Sequence, residues 1–159
     1  MEYSKNLSNT LVLRKSCRSY VPNKPMKEAD IDLITWAGER AAFCSGGPRR
    51  EIITIVDQDK KNLIMEACMD QKYVGDCSTI FVLSGTHFED KLRSGFAKFA
   101  PDCYMACCQM HLMATSLGFG SVIIGNFIPD IIKEIVGTDF MLVSFEHRPT
   151  IILLVGYKG

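Results

Sequence analysis

Two rhythms of apolar and polar residues run along the chain, and the changes between them mark the elements. Residues 27–43 carry apolar side chains at Ile31, Ile34, Trp36, Ala37 and Ala41, the spacing of a helix. The pattern breaks at Ser45-Gly46-Gly47-Pro48, a loop signal. Short β-branched runs follow: EIITIV over residues 51–56 predicts a strand, and TIFVLS over 79–84 a second, buried one. Residues 59–68 between them read as a helix. A short helix is expected over 9–15 and an extended stretch over 20–25. Further on, residues 121–125 and 150–157 predict strands, with a short helix over 129–137 between them.

The segment 102–117 is the most informative. Pro101 suits a first helical turn and Gly118 the position just past the end. Between Cys103 and Phe119 there is no Asp, Glu, Lys or Arg, so the helix lacks the charged face of a surface helix. A membrane span is the rival reading. Gln109, His111, Thr115 and Ser116 argue against it, and the run falls short of about 20 apolar residues. One small domain can hardly surround a helix, so a partner subunit is the expected cover. No repeat, low-complexity segment or linker interrupts the chain, and residues 1–159 are expected to form a single domain. Strands interleaved with helices make it an α+β or α/β sandwich.

Charge narrows the function classes. Lys plus Arg equal Asp plus Glu at 18 each, so the basic excess of a nucleic-acid binder is missing. The hydrophobic fraction of 47% is high enough to agree with an extra apolar face buried in a dimer. Residues 1–8 lack the apolar stretch of a signal peptide, which predicts a cytoplasmic protein with free thiols. The seven cysteines are scattered, and the cluster Cys103, Cys107 and Cys108 falls within a helix, so buried apolar roles are expected rather than a metal site. The three histidines are not at ligand spacing, and no catalytic triad or P-loop occurs. His111 is expected to be a hydrogen-bonded interface residue rather than a base.

Candidate chemistry starts at Leu13-Arg14-Lys15-Ser16-Cys17-Arg18-Ser19-Tyr20, where three cations and a hydroxyl fall within five residues after a helix. Arginine offers forked donors matched to phosphate oxygens, and serine adds a compact one. On spacing alone, a solvated basic turn explains the same residues.

Arg-x-Ser-x-Arg-x-aromatic after an N-terminal apolar helix resembles the opening motif of FMN-dependent nitroreductases. Further segments follow in that family's order. Residues 42–48 (AFCSGGP) resemble its Pro-Ser-containing loop, and Lys72-Tyr73-Val74 a recurring segment before a buried strand. Leu117-Gly118-Phe119-Gly120-Ser121 and Ile124-Gly125-Asn126-Phe127 resemble its Leu-Gly-x-Gly-Ser and Ile-Gly-x-Phe signature, and Val155-Gly156-Tyr157 its closing strand. Residues 33–40 (LITWAGER) and the glycine loop look more like the short branch that includes azoline dehydrogenases.

The resemblance implies an α+β fold: a three-layer α/β sandwich with a central, mostly antiparallel sheet, in a domain-entwined homodimer. It implies FMN as cofactor and hydride transfer from NAD(P)H through flavin N5 to a small acceptor such as a nitroaromatic or quinone, in a ping-pong cycle. Arg14 and Ser16 would hold the phosphate and ribityl chain, with Lys15 adding a contact. Arg18 would sit at the pyrimidine edge. Ser45, Gly46 and Gly47 would lie against the flavin from the other subunit, and Gly125 and Asn126 would present backbone N–H groups near N5. No protein side chain need act as acid or base, because the cofactor carries the chemistry.

Two departures stand out. Where common members have an Asn and then Gln-Pro-Trp, this chain has Gly46-Gly47-Pro48-Arg49-Arg50, and two alignments fit. Where many carry Lys-x-Arg after the last strand, it ends Lys158-Gly159, leaving Lys158 alone for the phosphate. The alternatives are therefore a non-catalytic flavin-binding or interaction module with a truncated phosphate site, and a structural dimer without cofactor.

Overall fold

The computed structural model describes residues 7–44, 46–86, 89–137 and 148–159. Helix α1 (Leu7–Leu13) leads to α2 (Glu28–Glu39), strand β1 (Arg50–Ile55), helices α3 (Gln58–Ala67) and α4 (Lys72–Asp76), and strand β2 (Thr79–Gly85). Helix α5 (Phe99–Ser116), strand β3 (Gly120–Ile124), helix α6 (Pro129–Gly137) and strand β4 (Arg148–Gly156) follow. The strands form one antiparallel sheet in the order β1-β2-β4-β3.

Alternation along the strands makes three layers, because successive side chains point to opposite faces. On β4, Ile151, Leu153 and Val155 join Phe81, Leu83 and the α2 and α5 residues Ile34, Ala106 and Met110 in one core. Ile152 and Leu154 of the same strand join Ile80, Val82, Ile64 and Ile132 in a second core beneath α3 and α6. The central strand β2 is buried along its whole length, as its unbroken apolar run requires. The three-layer α+β sandwich expected from the sequence is the fold observed.

Element ends differ from the sequence reading where side chains intervene. Helix α2 stops at Glu39, short of the expected residue 43. There the Arg50 guanidinium donates to the carbonyls of Gly38, Glu39, Ala41 and Ala42, satisfying the end of the helix. Helix α5 begins at Phe99, so Pro101 falls inside the first turn. It ends in a Schellman turn: Gly118 N–H donates to Thr115 O and Phe119 N–H to Ala114 O, with Gly118 at φ +88°. The stretch expected to be extended at 20–25 instead makes one bridge, Tyr20 with Lys158, and then a turn at Asn23.

The protomer covers α5 on one side only. Asp102, Cys103, Ala106, Cys107, Met110, His111 and Ala114 are buried, whereas Tyr104, Cys108 and Gln109 are exposed. The cysteine expectation therefore needs correcting at Cys108, which faces outward. Cys103 and Cys107 are buried; burial pushes the Cys103 thiol up to about 12 and raises that of Cys107 too, so both stay protonated. No helix among the described residues is long and apolar enough to cross a membrane.

Candidate functional site

The basic turn after α1 is stitched to the edge of the sheet. Ser16 bridges Ser121 in parallel, and Cys17 N–H donates to Ser121 O at 2.9 Å, so the turn lengthens the sheet beyond β3. Tyr20 is buried, and its hydroxyl donates to Cys17 O at 2.9 Å. Burial raises its phenol pKa, so that donor stays protonated. Beyond it, Val21 N–H donates to Tyr157 O and Gly159 N–H to Ser19 O, which brings the chain's last residues alongside the turn.

This stitching places Arg14 and Ser16 in one pocket of about 380 Å³ with Cys108, His111, Leu112 and Ile123. Its one imidazole is hydrogen-bonded at both ring nitrogens. His111 Nδ1 lies 2.6 Å from Ser121 Oγ, and Nε2 lies 3.1 Å from Arg14 Nη1. Guanidinium nitrogens only donate, so Nε2 must accept and the ring proton must sit on Nδ1, donating to Ser121. Burial, and then the neighbouring Arg14 charge, hold the imidazole pKa down to about 4, so His111 is neutral at ordinary pH. The histidine is hydrogen-bonded, as expected from its place in an uncharged helix, and the partners are now explicit.

The other expected site residues that the structure describes take four positions. Lys15 and Arg18 are exposed on the same turn. Lys158 is exposed opposite Tyr20, and its stem packs beside Cys17 against Gly120. Gly125 and Asn126 are exposed at the far end of β3, about 13 Å from Ser121 at the usual strand rise. Ile128 N–H, bonded to Ala67 O, ties the segment after them to α3. The glycine loop lies apart, at the start of α5, about 13 Å along the helix axis from His111. Ser45 lies outside the described residues.

That loop is held by charges. The buried Asp102 carboxylate accepts from Cys44 N–H at 2.7 Å and from Arg49 N–H at 2.8 Å. The Arg49 side chain donates to Gly46 O, Gly47 O and Asp90 Oδ2. The two arginines standing where Gln-Pro-Trp was expected thus serve the loop itself and the end of α2. Sequence reasoning missed Asp102, Ser121 and the pocket-lining Cys108, Leu112 and Ile123. The signals for them were His111, a lone imidazole in an uncharged run, and the place of Ser121 in the Leu-Gly-x-Gly-Ser signature.

A larger groove of about 740 Å³ lies elsewhere, lined among others by Lys24, Met26, Asp32, Thr54 and Lys61, and it holds none of the expected residues. Its buried cation is already committed: Lys61 Nζ donates to Cys77 O at 2.8 Å. The smaller pocket, which holds Arg14 and Ser16, is the better candidate site. Among the described residues no His, Cys, Asp or Glu cluster is placed to hold a metal.

Comparisons bear on the fold and the family. The chain's fold is similar to that of NfrA1 nitroreductase from B. subtilis, with a TM-score of 0.84 at 20% identity over 97% of this chain and 67% of that one. NfrA2 of B. megaterium gives 0.83 at 20% identity, over 96% of this chain and 66% of that one, so the chain spans just under two thirds of that relative's length. A nitroreductase family protein (cd3355) from Clostridium difficile 630 gives 0.79 at 25% identity, over 97% and 85%. No protein of curated function matches in sequence. The sequence model of the Nitroreductase family matches residues 51–157, which hold β1 from Glu51, the other three strands, α5 and the signature glycines. The chain belongs to the nitroreductase family.

Proposed function

We propose that the protein is an FMN-dependent oxidoreductase that carries hydride from NAD(P)H to a small acceptor, such as a nitroaromatic or quinone, and works as a cytoplasmic homodimer. The observation that carries this reading is the Arg14–Ser16 pocket. A forked cation and a hydroxyl line it together with a neutral, hydrogen-bonded histidine, a donor set that fits a phosphate end. Bound FMN supplies the redox chemistry, accepting hydride from the nicotinamide and returning it to the acceptor.

The chain's own residues bind and orient. Arg14 and Ser16 receive the phosphate and the ribityl chain, with Lys15 and Lys158 adding positive charge from the same turn and from the chain's end. Arg18 lies further along the turn, where its charge offsets negative charge on the reduced ring's pyrimidine edge. Gly125 and Asn126 offer backbone donors toward N5. Gly46 and Gly47 face the flavin from the other subunit, a reading supported by the loop's place at the start of α5, away from His111 and Arg14.

The dimer reading has its own support. Helix α1 buries no residue, and Leu7, Leu11, Val12 and Leu13 are 54–83% exposed. Trp36, Phe43 and Tyr104 are exposed as well, side chains that a partner subunit would cover. Steady-state rates with varied NAD(P)H and acceptor test the function. Parallel double-reciprocal lines are expected, because both substrates use one face in turn. Intersecting lines would count against the shared face, and FMN binding without turnover would favour the flavin-binding module.

A further inference from the structure

We propose that His111 is a positioning residue for Arg14, a buried acceptor that sets the guanidinium in place before an anion arrives. The inference rests on the reading that Arg14 receives the flavin phosphate, and goes beyond it.

Three elements meet at this imidazole. His111 comes from α5 and is 4% exposed; Ser121 comes from the edge strand β3 and is 1% exposed. Arg14 follows α1, its N–H bonded to Thr10 O. Ser121 Oγ holds Nδ1 at 2.6 Å, so the ring cannot turn freely, and its Nε2 lone pair points to Arg14 at 3.1 Å. A carboxylate in that place would neutralise the guanidinium and repel a phosphate. A neutral acceptor takes one N–H and leaves the charge and the other donors for the ligand. An arginine so held loses less rotamer freedom on binding than a free one. Among the described residues Arg14 is the charged group facing the ring, and it helps keep the ring neutral.

The test compares FMN with riboflavin, which has the same ring and no phosphate, in titrations of the apo-protein. His111→Leu removes the acceptor and should weaken FMN about tenfold or more, the scale of one hydrogen bond to a charged group, with a much smaller loss for riboflavin, which keeps the ribityl chain. His111→Gln, whose amide can accept from Arg14 and donate to Ser121, should retain most FMN affinity. Arg14→Ala should show the same phosphate-selective loss, and the Arg14→Ala/His111→Leu double variant should be no weaker than Arg14→Ala alone. Equal losses of FMN and riboflavin in His111→Leu, or no loss at all while Arg14→Ala loses FMN, would overturn the role of His111 and leave Arg14 in place. Wild-type FMN affinity in Arg14→Ala would overturn the phosphate reading itself, and this inference with it. Should His111→Leu not fold, nitrogen NMR of the wild type decides: an Nδ1-protonated ring at neutral pH is expected, and an Nε2-protonated ring overturns the proposal.

Discussion

Cys17 donates its backbone N–H to Ser121 O at 2.9 Å, and that bond fastens the basic turn to the edge of the sheet. The fit beside it is close. A Cβ on Gly120 would lie 2.6 Å from Cys17 Sγ and 3.0 Å from Lys158 Cγ, so a glycine is needed where the turn, the strand and the chain's end meet.

Gly120→Ala should therefore push the turn off the strand and cost about 1–3 kcal/mol, the usual range for overpacking. Denaturant unfolding measures it. Adding Cys17→Gly to make room should recover most of the loss, and no recovery would show that the strain lies elsewhere.

Asp102 makes the equivalent prediction for the glycine loop. Its two oxygens accept from Cys44 and Arg49, and an asparagine would turn an amide N–H₂ toward one of those donors. Asp102→Asn should cost about 1–3 kcal/mol, the penalty of an unsatisfied buried group. Hydrogen exchange should quicken at the Cys44 and Arg49 amides before the rest of the fold loosens. Unchanged protection at both would remove Asp102 from this role.

Much of this architecture was legible in the sequence. The apolar runs of β2 and β4, the uncharged α5 and the glycine that closes it follow from local periodicity and backbone preference. Arg14 and Ser16 were legible as a candidate pair because they are close in the chain, and they line one pocket. Residues whose partners are far away were not. His111 meets Arg14 across 97 positions and Asp102 meets Cys44 across 58, and no local pattern encodes such pairings. The same limit misled the reading of α5. Lack of charge implied cover all round by a partner, yet Met110 proves to be buried in the protomer's own core, against α2 and β1. A charge at Met110 would report on folding, not assembly.

Assembly is better tested at Val12, which is 83% exposed on α1. Val12→Glu leaves the protomer's core untouched but would bury an unpaired charge at an interface, costing about 3–5 kcal/mol. Sedimentation at low micromolar concentration should show a wild-type dimer and a folded Val12→Glu monomer. A wild-type monomer would contradict the homodimer, and a variant as dimeric as wild type would take Val12 out of the interface.

Neutral His111 predicts a pH dependence. Its pKa is about 4 in the folded protein, against an ordinary 6.5, so between these values the unfolded chain binds the proton more readily. The stability gained by keeping the ring neutral is complete above about 6.5 and is lost as pH falls toward about 4. Unfolding free energies measured across that window should fall with pH in the wild type and fall less steeply in His111→Gln. Equal slopes would show that the ring titrates normally.

The central claim is tested most directly by mixing FMN-loaded protein with NADH or NADPH without oxygen and following the flavin absorbance. The account predicts bleaching with at least one of the two nicotinamides, and return of the colour when a quinone or nitroaromatic is added. FMN that is bound yet stays oxidised with both nicotinamides would contradict it.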